Sequence, residues 1–411
     1  MTTLEFRTIP EAHLDRALDL TYLVFLLSPD EERRKLHRDM LLGAERIGAY
    51  DGDDLVGMLA ARPLLLSVPG GELPCAGVTF VSVAPTHRRR GVLRGMMDEL
   101  GNRCRDNGQP LAALWAAEAV IYGRFGFGAA THCHGVEIDS LRPLNLRIEP
   151  ADLPVRLVDP ADAPGLLGPL HAANRARRAG RVARDDDWWR TRTLPATEED
   201  APELSAPRVV TLGAPGTPPA GYAVYRTGDG SNVPGAPDGI VAVSELEADT
   251  PGAAAALWRY LASIDLTARV RAWGRPLDDP LLHFAADRDQ VLVSREFPAL
   301  WLRVLDVTAA LEARAWAAPC DLVLEITDPR APGGTGRHRL AAGPDGATVT
   351  RTDDTPDLTF DVRELSACYL GGTELRHLAR AGLVTEHTPG AVARLDAALR
   401  TEFLPHTTDE F

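Results

Sequence analysis

Residues 81–94 read VSVAPTHRRRGVLR. A short alternating apolar run meets Pro85; three arginines and Gly91 follow, then a helix-like apolar stretch. That order predicts a strand, a basic loop and a helix whose N-terminus faces the loop. The first helical N–H groups have no partner inside the helix, and the helix dipole favours an anion at that end. Arginines beside such a nest add charge-assisted hydrogen bonds, and Gly91 lets backbone amides come close to a phosphate. A capped helix with solvated arginines accounts for the same residues, so the surrounding sequence has to decide.

The chain has 411 residues and a formal net charge of -14, and 45% of it is hydrophobic, which predicts a globular protein of two or three domains. The acidic balance argues against nucleic acid as a partner and suits a cationic substrate. No segment has the length or apolarity of a membrane span or the layout of a signal peptide, so no membrane partner and a cytoplasmic location are expected. LDLTYLVFLLS (18–28) reads as a buried helix. The five cysteines are scattered without a CxxC pair, so neither a disulfide framework nor a metal site is suggested. His132 and His134 in THCHG share one strand face without a third ligand nearby, and no metal is expected.

From the basic loop outward, 46–68 and 78–85 read as strands. GVLRGMMDELGNRCRDNG (91–108) is an amphipathic helix with Val92, Met96, Leu100 and Cys104 on one face, ended at Asn107-Gly108. LAALWAA (111–117) is a buried strand, and a short helix then runs into YGRFGFG (122–128). The Pro-rich stretch at about 141–160 reads as a boundary. Beyond it the order recurs: a helix through HAANRARRAGRVARDDDWWRTRT (171–193), strands at 208–230, then a strand and helix in GIVAVSELEADTPGAAAALWRYLASID (239–265) and a strand at 267–276. ELEADTPGAA stands where SVAPTHRRRG stood, so the second copy has lost the anion loop. A third, α+β segment begins near 298 and shows no evident catalytic cluster.

The context turns the basic loop into a specific resemblance. VSVAPTHRRRGVLR resembles the acyl-CoA signature R/Q-x-x-G-x-G/A of the GNAT superfamily of N-acetyltransferases, carried on Arg88 to Leu93, with Leu93 in place of the usual small residue. FVSVAPTHRRRGVLR, EAVIYGRFGFG, DDWW, WLRVLDV and the terminal phenylalanine together resemble the Eis (enhanced intracellular survival) branch. The resemblance implies an α+β protein: two tandem GNAT-like mixed α/β domains, 1–148 and 149–297, the second degenerate, then a sterol-carrier-protein-like α+β domain, 298–411. It implies a homohexamer, acetyl-CoA as co-substrate, no metal, and a small-molecule or peptide amine as acceptor. Aminoglycosides and lysine amines are the acceptor classes it suggests. A non-enzymatic acyl-CoA or lipid-binding module is the competing reading.

Residue by residue, the resemblance assigns pantetheine pairing to the backbone of Val81, Ser82 and Val83. The pyrophosphate falls to the amides of Arg89, Arg90, Gly91, Val92, Leu93 and Arg94, and the rest of the cofactor site to Ala117 and Glu118. Tyr122 is the implied general acid, a phenol able to protonate a thiolate; its alternative is a packed ring. Phe411 is implied to act through its terminal carboxylate as general base, whereas a frayed tail is the default for a chain end. Asp409 and Glu410 are expected to add negative potential beside it. Thr79, Phe80 and the segment 22–38 are implied to wall the acceptor pocket. Trp188 and Trp189 read as core aromatics.

Overall fold

A computed structural model describes residues 4–197, 201–230, 237–330 and 335–411. They divide into two compact units. One runs from the N-terminus to Ala130 and includes Leu300–Thr401 and Phe411; the other comprises Thr131–Ala299 with Glu402–Glu410.

In chain order the first unit opens with β1 (Glu5–Thr8), α1 (Leu14–Phe25), α2 (Glu31–Leu42), β2 (Glu45–Asp51), β3 (Asp54–Val68) and β4 (Gly71–Val83). It continues with α3 (Val92–Asp106), β5 (Leu111–Trp115), α4 (Ala119–Tyr122) and β6 (Gly128–Ala129). β3 is a near-continuous apolar run because both of its faces are covered. Met58 and Ala60 point into a core with Leu14 and Leu18 of α1. Leu59 and Ala61 point the other way, into a core with Met96 and Leu100 of α3. The four-residue apolar repeat of α3 is its buried face, and Asn107 and Gly108 close the helix, the latter with φ +64°.

The second unit contains β7 (His132–Asp139), β8 (Val155–Val158), α5 (Ala163–Arg177), α6 (Asp186–Trp188), β9 (Arg208–Leu212), β10 (Gly221–Gly228) and β11 (Gly239–Ala248). α7 (Pro251–Leu261), β12 (Thr267–Pro276), α8 (Leu281–Phe284) and β13 (Val291–Pro298) complete it. The chain then supplies β14 (Leu300–Val304) to the first unit, followed by α9 (Val307–Ala313), β15 (Cys320–Thr327), β16 (Gly336–Gly343), β17 (Gly346–Arg351) and β18 (Leu358–Asp361). α10 (Val362–Cys368), α11 (Leu375–Arg380), β19 (Val384–Glu386) and α12 (Ala391–Leu399) end the ordered elements.

The first sheet has the order β1-β2-β3-β4-β5-β14-β6, the second β13-β7-β12-β11-β10-β9-β8, and the third β17-β16-β15-β18-β19. The duplication is visible in the ladders. β2, β3 and β4 are antiparallel neighbours and β4 pairs β5 in parallel across α3. Likewise β9, β10 and β11 are antiparallel and β11 pairs β12 in parallel across α7.

Two features depart from the sequence reading. His132–Asp139, read with the first domain, pairs with β12 and β13, because its apolar Val136 and Ile138 belong to the second core. Leu300–Val304, read as the start of the third segment, pairs with β5 and β6 and places Trp301 in the first core. The first sheet is thus completed by a strand from far along the sequence, whereas the second is built from consecutive strands. Nor is 171–193 one helix. α5 stops at Arg177, Gly180 takes φ +98°, and helical structure resumes at Asp186 after Asp185 caps Trp188 N–H at 2.7 Å. The third sheet with α9 to α12 is α+β as expected.

Candidate active site

The parallel ladder between β4 and β5 covers three residues, Cys75 to Gly77 against Leu111 to Ala113. Past Gly77, among the described residues, β4 keeps its pairing with β3 alone, up to Val83 opposite Gly57. The two strands therefore fork. Along the β5-facing edge, Val78 to Val83 has no strand neighbour among the described residues. The fork is sharpened by a bulge. Met58 pairs Ser82 and Ala60 pairs Thr79, so Phe80 and Val81 together oppose Leu59, and Phe80 takes φ +52°. A bulge bends its strand and re-aims side chains, a common device beside functional sites.

Val81 and Val83 are half-buried, and the buried Ser82 donates from Oγ to Thr21 Oγ1 at 3.3 Å. Their side chains are thus committed to packing, leaving the backbone for a ligand. After Val83 a short turn, Pro85–His87, leads to the arginines. His87 Nε2 lies 3.3 Å from Asp51, and Arg88, Arg89, Arg90 and Arg94 are exposed. Arg89 has φ +63°, and Gly91, at the N-cap of α3, has φ +85°. No side chain caps this helix, and its first turn holds no acidic residue. A Cβ built on Gly91 meets nothing within 4 Å, so the approach to the free N–H groups is open. Val92 is buried and Leu93 half-buried against the first core, which anchors the helix end from beneath.

The equivalent helix of the second unit is finished differently. α7 has Thr250 at its N-cap, accepting from Ala253 N–H at 3.2 Å, with Pro251 in the first turn. A hydroxyl cap and a proline leave fewer free donors at that end.

On the far side of the fork β5 ends at Trp115, and Ala116 to Glu118 turn outward, with Ala117 and Glu118 exposed. Glu118 is the N-cap of α4, whose last residue is Tyr122. The Tyr122 ring is 8% exposed and packs edge-on against Phe127, centroids 6.1 Å apart. Burial, helped by the charge of Glu118, pushes its phenol up to about 12. The group is therefore a protonated donor at neutral pH.

The chain end is seated rather than frayed. Phe411 is 8% exposed and groups with the first unit. A Cβ on Gly77 would approach the Phe411 ring to 3.0 Å and push against the Leu64 side chain, so a larger residue would displace neighbours where β4 leaves β5. The terminal residue thus lies at the crotch of the fork. Sequence reasoning missed Gly77, which in a strand marks the close approach of another group.

Phe80 meets the ring of His37 edge-on at 5.4 Å, and His37 Nδ1 is 3.1 Å from the Tyr22 hydroxyl. The segment 22–38 therefore does border Phe80, through α1 and α2. Asp30 spends its carboxylate on capping α2, accepting from Arg33 N–H at 2.8 Å. The expectation for Asp409 is corrected. Its carboxylate is buried in the second unit, 2.6 Å from Arg184, and adds no free negative potential for an acceptor. Trp188 and Trp189 are buried, as core aromatics. Among the described residues no group of three or more His, Cys, Asp or Glu side chains has the arrangement of a metal site.

Comparison with known proteins bears on this geometry. Residues 5–130 and 180–305 each match the family described as acetyltransferase (GNAT) domain, and 307–407 match the sterol carrier protein domain. An uncharacterized N-acetyltransferase of Streptomyces avermitilis is 39% identical over 91% of both chains. N-acetyltransferase Eis of Mycobacterium tuberculosis is 36% identical over 89% of this chain and 88% of its own. The crystal structure of Eis1 from Mycobacterium abscessus superposes with a TM-score of 0.85 at 33% identity, covering 100% of each chain. With two GNAT domains followed by a sterol carrier protein domain, the chain belongs to the Eis family of GNAT acetyltransferases.

Proposed function

We propose that the protein moves the acetyl group of acetyl-CoA to amino groups of multi-amine acceptors, such as aminoglycosides or the lysine amines of peptides and proteins. The observation that carries this reading is the convergence at the fork. Past Gly77, β4 pairs with β3 alone among the described residues, an uncapped helix N-terminus among exposed arginines follows that strand, and the Phe411 ring lies against Gly77 at its base. The net charge of -14 suits a polycationic acceptor. Family likeness also supports a homohexamer working in the cytoplasm, with neither nucleic acid nor membrane as partner.

In the proposed reaction the backbone of Val81, Ser82 and Val83 aligns the pantetheine arm. The amides from Arg89 to Arg94 and the arginine side chains hold the pyrophosphate; Ala117 and Glu118 border the arm from the β5 side. The acceptor amine attacks the thioester carbonyl, and its surplus proton passes to the α-carboxylate of Phe411. The C–S bond breaks and Tyr122 protonates the departing CoA thiolate. Burial that pushes the phenol up to about 12 keeps it in the protonated form that can donate.

Four outcomes test this reading. Free-thiol release from acetyl-CoA should follow addition of aminoglycosides, polyamines or lysine peptides; turnover confined to acceptors without an amine overturns it. Arg89→Ala combined with Arg90→Ala should raise the KM for acetyl-CoA roughly tenfold or more with kcat little changed, since charge-assisted contacts are strong; an unchanged KM rejects the phosphate cradle. Tyr122→Phe should lower kcat by about 10²–10⁴-fold with far less effect on acetyl-CoA binding; wild-type turnover removes Tyr122 from the chemistry. A C-terminal tag, which turns the Phe411 carboxylate into an amide, should nearly abolish acetylation, whereas Phe411→Ala, which keeps a carboxylate, should cost less. Full activity of the tagged chain excludes the terminal base.

A further inference from the structure

A cavity of the first unit is left unused by the residues assigned to the reaction above. It encloses about 600 Å³, the size of a small-molecule site, beside the later turns of α3. The turn at Phe125, the strand β14 and residues of β16 and β17 complete its walls, and the residues lining it all belong to the first unit. Its floor is apolar, formed by the buried Leu100, Phe125 and Phe127. Its walls are basic. Arg105, Arg303, Arg330 and Arg351 line it against Asp98 and Asp306, a local reversal in a chain of net charge -14.

The arginines are held in different ways. Arg303 is structural: its guanidinium lies 3.2 Å from Asp328, and both side chains are buried. Arg330 sits over the Phe125 ring, 5.5 Å from the centroid, and its Nε is 3.8 Å from Asp98, beyond hydrogen-bond reach. Arg105 donates to the amide oxygen of Asn102 at 2.5 Å, and Arg351 donates to the Thr335 carbonyl at 2.8 Å; both of these acceptors are neutral. Asp306 spends one oxygen on capping α9, accepting from Ala309 N–H at 3.0 Å.

This lining selects a kind of molecule. Guanidinium groups meet phosphate oxygens in charge-assisted, paired hydrogen bonds. A bare anion would leave the apolar floor unfilled and would face two carboxylates. A flat ring fills that floor, and guanidinium groups also stack on such rings. Amino and hydroxyl donors on the same molecule suit Asp98 and Asp306. A purine nucleoside phosphate carries all of these groups at once.

We propose that this cavity binds a purine nucleoside phosphate, with Arg105 and Arg330 on the phosphate and the base against the apolar floor. Two sources supply that chemistry, the nucleotide end of acetyl-CoA and a free nucleotide. The first rests on the acetyl-CoA reading given above. In that reading the pyrophosphate lies at the start of α3, and Asp98 follows Val92 by six residues, ~9 Å along the helix axis. The second is independent of it.

The test titrates adenosine 3′,5′-bisphosphate into the full-length protein and into Arg105→Gln combined with Arg330→Gln, by calorimetry. The wild type should bind with a Kd below about 1 mM, and the double variant at least ~10-fold more weakly, since two charge-assisted contacts are lost. Arg105→Gln alone, at an exposed position of α3, should shift the Kd the same way by less, and it serves if the double variant does not fold. No binding by the wild type, or equal affinity in wild type and variants, overturns the proposal. These titrations need no turnover, so their failure is separate from a failure of the acetyl-transfer reading. Two further measurements assign the source: the titration repeated at saturating acetyl-CoA, and the KM for acetyl-CoA and for its 3′-dephospho analogue. If the nucleotide end of acetyl-CoA fills the cavity, acetyl-CoA excludes the bisphosphate. The double variant then raises the KM for acetyl-CoA about tenfold and leaves that of the dephospho analogue nearly unchanged. If a free nucleotide fills it, the bisphosphate still binds beside acetyl-CoA and both KM values stay at wild type.

Discussion

The three-residue ladder between β4 and β5 is the constraint on which the first unit depends. Parallel neighbours in a sheet ordinarily satisfy each other's backbone along their length, and buried backbone groups left alone are costly. β4 gives up that pairing from Val78 onward. The bulge at Phe80 and Val81 and the packing of α1 and α3 on opposite faces hold β4 extended in spite of it. An extended ligand lying in the gap, as proposed for the pantetheine arm, would offset that cost. Gly77, at its base, leaves the space that the Phe411 ring takes.

The duplicated copy sharpens this argument because it shares the topology and lacks the chemistry. α3 and α7 each follow a central strand and lead to its parallel neighbour. Yet α3 begins on a glycine with no side-chain cap, behind four exposed arginines, while α7 begins on Thr250 and Pro251. A helix left uncapped at an exposed end forgoes about 1 kcal/mol that a threonine would contribute. In the proposed reading, the free N–H groups at the start of α3 meet the cofactor's pyrophosphate.

Much of this was legible in the sequence, and the reasons differ by element. The strand, basic loop and helix of 81–106 were readable because period, proline, glycine and charge agree. The duplication was readable from the order of the strands. What could not be read was which sheet a strand joins. Val136 and Ile138 alternate as well for one core as for the other, and the pairing of β7 with β12 is a long-range choice that period alone does not encode. The segment 178–185 reads as helix by composition, but Gly180 and the demands of buried Arg181 and Arg184 override propensity. Asp409 looked like a surface acid in a polar tail. Its partner Arg184 lies more than 200 residues away, and only the fold brings the two together.

The tail also explains why a copy with no anion loop retains so much polar structure. Apolar side chains would fill its interior as stably as Arg181, Arg184, Glu245 and Glu247 do, because desolvation cancels most of the attraction between buried ions. A polar cluster differs from an apolar one in being particular about its partner. Arg184 already has Glu245, so a second carboxylate must arrive with the right spacing to be accepted, and Asp409 does so with its backbone turned by Thr407. Apolar burial would tolerate a slip of one residue along the tail; this cluster does not.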